Sequence, residues 1–84
     1  MENKKYLDKI LKHILNNTKI DHEGEELYVP FTNHSFGMFF PSLFRKYYYF
    51  YKYCEKQFGL TEEEIDYVWD QWEEIILNKI KNGQ

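Results

Sequence analysis

Six residues between positions 45 and 56 have the types and spacing to bind a polyanion. Arg45, Lys46, Tyr49, Lys52, Tyr53 and Lys56 fall at i, i+1, i+4, i+7, i+8 and i+11, so on a helix they share one face. Lysine and arginine neutralise phosphate, and tyrosine rings stack on unpaired bases. A lysine held over a tyrosine ring adds a cation–π contact. Lys5, Lys9 and Lys12 on a preceding helix extend the same chemistry. The plainer reading is a solvated face whose tyrosines lie flat on their neighbours. It draws weight from the net charge of −3, because small nucleic-acid binders are usually basic.

A second row is acidic. Glu63, Asp66, Asp70 and Glu73 fall at i, i+3, i+7 and i+10, with Glu74 beside them. None has a cation four residues downstream, so the repulsion of about 0.2–0.5 kcal/mol per neighbouring pair goes unrelieved within the helix. Carboxylates one helical turn apart make a negative ridge suited to a basic protein groove that ordinarily holds nucleic acid. The plainer reading is an acidic outer face whose first turn is explained by the helix dipole.

A third feature is the stretch Phe36 to Phe44, which holds six large apolar side chains in nine residues. Most of these belong in a core. Any left outside, with Phe36, Met38, Phe39 and Phe40 as the candidates, would form an oligomer or partner interface.

Covalent chemistry finds little support. Cys54 is the single cysteine and sits among apolar neighbours at helical spacing, where a thiol acts as a small hydrophobe. His13, His22 and His34 lack the spacing of a zinc site, the glycines form no phosphate-binding cluster, and Ser35 and Ser42 have no nucleophile-elbow context. The expectation is a protein that is not an enzyme and takes no cofactor and no metal.

These side chains need elements to hold them. Leu7, Ile10, Leu11, Ile14 and Leu15 recur at helical spacing and predict a first helix over 3–16, with Asn3 as N-cap and Asn16-Asn17 as its end. Leu27, Val29 and Phe31 alternate with Tyr28 and Pro30, which predicts a short hairpin over about 19–29 with Gly24 at positive φ in its turn. Pro41 fits the first turn of a second helix running to Phe58, with Gly59 after it, and Phe44, Tyr47, Tyr51, Cys54 and Phe58 make its apolar seam. Thr61 and Glu64 form a capping box that opens a third helix, which ends near Lys81 and carries the stripe Ile65, Val68, Trp69, Trp72, Ile75, Ile76 and Ile80.

The chain has 84 residues, room for one small domain over 1–84. Aromatic residues make up 20% of it, which supplies the burial that disordered chains lack. The charge of −3 resolves into blocks: +3 over 1–20, −4 over 21–41, +3 over 42–59 and −5 over 60–84. A lone cysteine and the polar start Met1-Glu2-Asn3-Lys4-Lys5 point to a reducing cytoplasm, and no apolar run is long enough for a membrane. Lysine outnumbers arginine ten to one, and usage leans to AT-rich codons, as in a low-GC bacterium, its phage or a mobile element.

The expected fold is mainly α, a small three-helix domain with a short hairpin between the first two helices. The leading expectation for function is a phage or mobile-element inhibitor. It would bind a host nucleic-acid-handling protein, in a bacterial cytoplasm, through Glu63, Asp66, Asp70, Glu73 and Glu74. One alternative is a nucleic-acid-binding module using Arg45, Lys46, Tyr49, Lys52, Tyr53 and Lys56. The other is a homodimer or virion-assembly component joined through Phe36, Met38, Phe39 and Phe40.

Overall fold

The apolar stripe of the first helix must be covered by something, and the third helix covers it. A computed structural model of the chain describes residues 4–37 and 45–82. Helix α1 spans Lys4–Asn16 and buries Leu7, Ile10, Leu11 and Ile14. Its last turn closes as the two asparagines predict: the Asn17 side-chain amide donates to the His13 carbonyl at 2.8 Å, and the Thr18 hydroxyl donates to the Ile14 carbonyl at 2.7 Å. The proposed N-cap, Asn3, lies outside the described residues.

The hairpin is present, and it has a third strand that the sequence pattern does not reveal. Strands β1 (Lys19–Asp21), β2 (Glu26–Tyr28) and β3 (Phe36–Gly37) form an antiparallel sheet in that order. Ile20 pairs with Leu27, and Leu27 pairs on its other side with Phe36. Leu27, Val29 and Phe31 are all buried, as their alternation requires, although β2 ends at Tyr28 and Pro30 falls beyond it. The left-handed residue of the turn is Glu25, at φ 55°, and not Gly24. Gly24 donates its amide to Asp21 Oδ1 at 2.9 Å, and a Cβ there would sit 2.6 Å from Asp21 Oδ2, so a larger residue would have to displace the carboxylate that caps the turn.

Helix α2 spans Tyr47–Phe58, starting later than Pro41 predicts. Arg45 and Lys46 form a turn, and Lys46 is the N-cap at φ −90°, ψ 0° with no side-chain cap bond. Pro41 and Phe44 lie outside the described residues. Gly59 ends the helix at φ 63°, and its amide donates to the Glu55 carbonyl at 3.1 Å. The buried positions are Phe50 and Cys54, whereas Tyr47, Tyr51 and Phe58 are half-buried. The seam is thus rotated from the predicted one, with Phe50 at its centre.

Helix α3 spans Glu62–Lys81 behind a complete capping box: the Thr61 amide donates to Glu64 Oε1 at 2.9 Å, and the Glu64 amide donates to the Thr61 hydroxyl at 3.3 Å. Ile65, Val68, Trp69, Trp72 and Ile76 are buried, while Ile75 and Ile80 only flank the core. Four rings make the centre. Phe50 lies 5.2 Å from Phe31 and 5.1 Å from Trp69 between ring centroids, and Trp72 lies 5.3 Å from both Phe31 and Trp69. The three contacts that involve a phenylalanine are edge-to-face, while Trp69 and Trp72 lie tilted at 30°; edge-to-face pairs are worth about 0.5–1.5 kcal/mol beyond the area they bury. The indole N–H of Trp72, 0% exposed, donates to the Thr18 hydroxyl at 3.2 Å and so ties α3 to the end of α1.

Candidate functional site

Burying Phe50 and Cys54 turns the opposite side of α2 outward. Four cations and two tyrosines emerge there. Arg45, Lys52 and Lys56 are exposed, and Tyr48 and Tyr49 stand 62% and 49% exposed, unusually open for large rings. The two rings meet edge to face at 5.9 Å. Lys46 Nζ lies 5.4 Å from the Phe36 ring centroid and 5.5 Å from that of Tyr49, so two rings hold one ammonium. Lys52 Nζ lies 5.9 Å from the Tyr48 ring and 3.9 Å from Glu55 Oε1. From Lys46 to Lys56 the row runs about 15 Å along the helix.

Two members of the predicted sites change role. Tyr53 is half-buried, with its ring 5.7 Å from Phe58 and 6.4 Å from Phe31, so it braces the core instead of offering a stacking face. Burial, with a smaller contribution from Cys54, raises its phenol above the usual range. Phe36 is 8% exposed inside the sheet, so its ring has little surface to offer an oligomer interface. The packing of β3 on Leu27 is the physical reason. Met38, Phe39 and Phe40 lie outside the described residues. Lys5, Lys9 and Lys12 are exposed on α1, which packs chiefly on α3.

Sequence reasoning missed Tyr48 and the ground beside Lys46. Tyr48 lies three residues after Arg45 and four before Lys52, a spacing that marks it as part of the same face. Next to it, a cleft of about 280 Å³ opens between the turn Thr32–Ser35, Lys46 and Tyr49, with Phe31 at its floor. On the other side of Tyr48, a groove of about 500 Å³ is lined by Arg45, Tyr47, Tyr48 and Trp69. Tyr47 donates its hydroxyl to Asp66, and burial followed by this carboxylate raises the phenol well above its ordinary value.

The acidic row is less uniform than its spacing suggests. Glu63, Asp70 and Glu74 are exposed and have no ion pair among the described residues. Asp66 is exposed but engaged by Tyr47. Glu73 is half-buried, and its Oε2 is enclosed without a hydrogen-bond partner among the described residues. Desolvation, and then the neighbouring charge of Asp70, raises the Glu73 carboxyl. Asp66 and Glu73 therefore turn toward the body of the protein, which leaves three of the five predicted carboxylates as an open row.

Cys54 is fully buried, and burial pushes its thiol up to about 12, so it is no nucleophile at neutral pH. Among the described residues no three His, Cys, Asp or Glu side chains group closely enough to hold a metal ion, and no helix is long and apolar enough to cross a membrane. Compared with protein-family models, with curated proteins and with solved structures, the chain matches none.

Proposed function

We propose that this protein is a non-enzymatic binding module whose working surface is the solvent face of α2, and that its ligand is single-stranded nucleic acid. The observation that carries this reading is the pair of exposed rings, Tyr48 and Tyr49, bracketed by Arg45, Lys46 and Lys52. Exposed rings offer stacking faces to bases, and stacking demands a strand whose bases are unpaired. The cations beside the rings meet the phosphates between those bases. A strand along α2 meets the cations of α2 first, and at physiological salt charges beyond about 8 Å are largely screened, so the net charge of −3 opposes binding chiefly at low salt.

The test is a fluorescence-anisotropy titration of a labelled oligothymidylate of about twelve nucleotides at low salt. Binding that the Tyr48→Ala, Tyr49→Ala double variant abolishes supports the proposal. A flat titration with the folded wild-type protein refutes it.

A second reading rests on the exposed carboxylates Glu63, Asp70 and Glu74, which lack ion pairs among the described residues. Such a row suits the basic nucleic-acid groove of a host protein, and the AT-leaning residue usage suits an inhibitor carried by a phage or mobile element. Reversing these three charges to lysine should then abolish capture of a protein partner from host extract, under nuclease treatment, while leaving oligonucleotide binding in place.

A further inference from the structure

The cleft beside Tyr49 differs in kind from the rest of the α2 face. At about 280 Å³ it is smaller than the roughly 300–1,000 Å³ of sites that enclose a drug-sized ligand, so it has room for one small unit. Its lining combines two opposite chemistries. One is Lys46, held between the Phe36 and Tyr49 rings and without an ion pair among the described residues. The other is a pair of hydroxyls: Ser35 donates to Glu26 Oε2 at 3.0 Å, and Thr32 donates to the His34 carbonyl at 2.7 Å. Both protons are committed, so each hydroxyl has only acceptor capacity left for a ligand. Glu26, which also accepts from Tyr28, adds negative charge behind Ser35.

An interior nucleotide of a strand carries a phosphate on each side, and seated here it would drive one of them toward Glu26. A terminal nucleoside avoids this. Its single phosphodiester can lie at Lys46, its base on the Tyr49 ring, and its free hydroxyl against the acceptors at Ser35 and Thr32. Resting on the single-strand reading above, we infer that the cleft seats the end of the strand and selects a free terminal hydroxyl over a terminal phosphate.

The experiment compares oligothymidylates ending in hydroxyl at both ends, in 5′-phosphate or in 3′-phosphate, with a closed circle as a fourth probe. The expected result is that phosphate on one of the two ends, and closing of the circle, each weaken binding by about threefold to tenfold. Glu26→Gln, which keeps the side chain's shape and its acceptor oxygen, should remove the penalty on the phosphorylated end and leave the hydroxyl-ended strand unchanged. Equal binding of all four probes overturns the inference while leaving strand binding intact, as does tighter binding of a phosphorylated end. Binding of none of them is the failure of the parent reading.

Discussion

Removing one cation and one ring from the α2 face should leave different thermodynamic marks. On a single strand, each neutralised phosphate contributes about 0.7 to the slope of log K against log salt. The face offers Arg45, Lys46, Lys52 and Lys56, of which Lys52 is shared with Glu55 at 3.9 Å. The wild-type slope should therefore lie at about −2 to −3, a loss of roughly 20- to 50-fold in affinity between about 50 and 200 mM salt. Lys56→Ala, in the exposed last turn of α2, should flatten the slope by about 0.7. Tyr48→Ala should cost about 1–3 kcal/mol at every salt concentration and leave the slope alone, because a lost stacking contact releases no counterion. Anisotropy titrations of the three proteins against one labelled oligothymidylate measure all of this. If the slope is flat, or if the two variants change affinity and slope alike, then the assignment of cations to phosphates and rings to bases is wrong.

Three further outcomes concern the fold and its ionisable groups. Thr18→Val keeps the shape of the side chain but leaves the buried Trp72 indole N–H without its acceptor, which should cost about 1–3 kcal/mol in urea unfolding with an unchanged m-value. Cys54 should resist alkylation in the native protein at about pH 8 and react freely in denaturant, since its thiol is buried and pushed up to about 12; rapid labelling of the native protein would contradict its placement. Glu73 has its carboxyl raised in the folded state by desolvation and Asp70, so its ionisation opposes folding and stability falls as pH rises from the unfolded-state pKa through the folded one. Glu73→Gln should accordingly be more stable than wild type at neutral pH, with the gap closing on acidification; a gap that widens in acid would reverse the sign of this argument.

Legibility in the sequence followed how strongly each pattern constrains the backbone. Thr61 and Glu64 name the start of α3 because a reciprocal cap needs those residue types at that spacing, and the structure has both bonds. Leu7, Ile10, Leu11 and Ile14 name the buried side of α1 because, apart from Tyr6 and Leu15, the rest of the helix is polar. The run Tyr47-Tyr48-Tyr49-Phe50-Tyr51 is aromatic all round, so it carries no period from which to choose a face. A tyrosine can lie at a core margin or in water, while Phe50 has no polar atom to present, and that difference rotates the seam. Strand β3 escaped because two residues cannot show alternation, and only the pairing of Phe36 with Leu27 and of Gly37 with Glu26 defines it. The cations of the α2 face were legible from spacing. The cleft was not, because it joins Lys46 and Tyr49 to a turn more than ten residues earlier in the chain.

The bond from Trp72 to Thr18 spans 54 residues, and that from Tyr67 to Asp8 spans 59. During synthesis α1 therefore emerges long before its cover exists. At about 5–20 residues per second, the stripe Leu7, Ile10, Leu11 and Ile14 waits roughly 3–10 s for α3 to arrive. The four-ring centre is delayed in the same way, because Trp69 and Trp72 belong to that last helix. On the ribosome the chain is thus a naked amphipathic helix followed by an open sheet, exposed to any chaperone with an apolar groove. Its core closes only once α3 has been made.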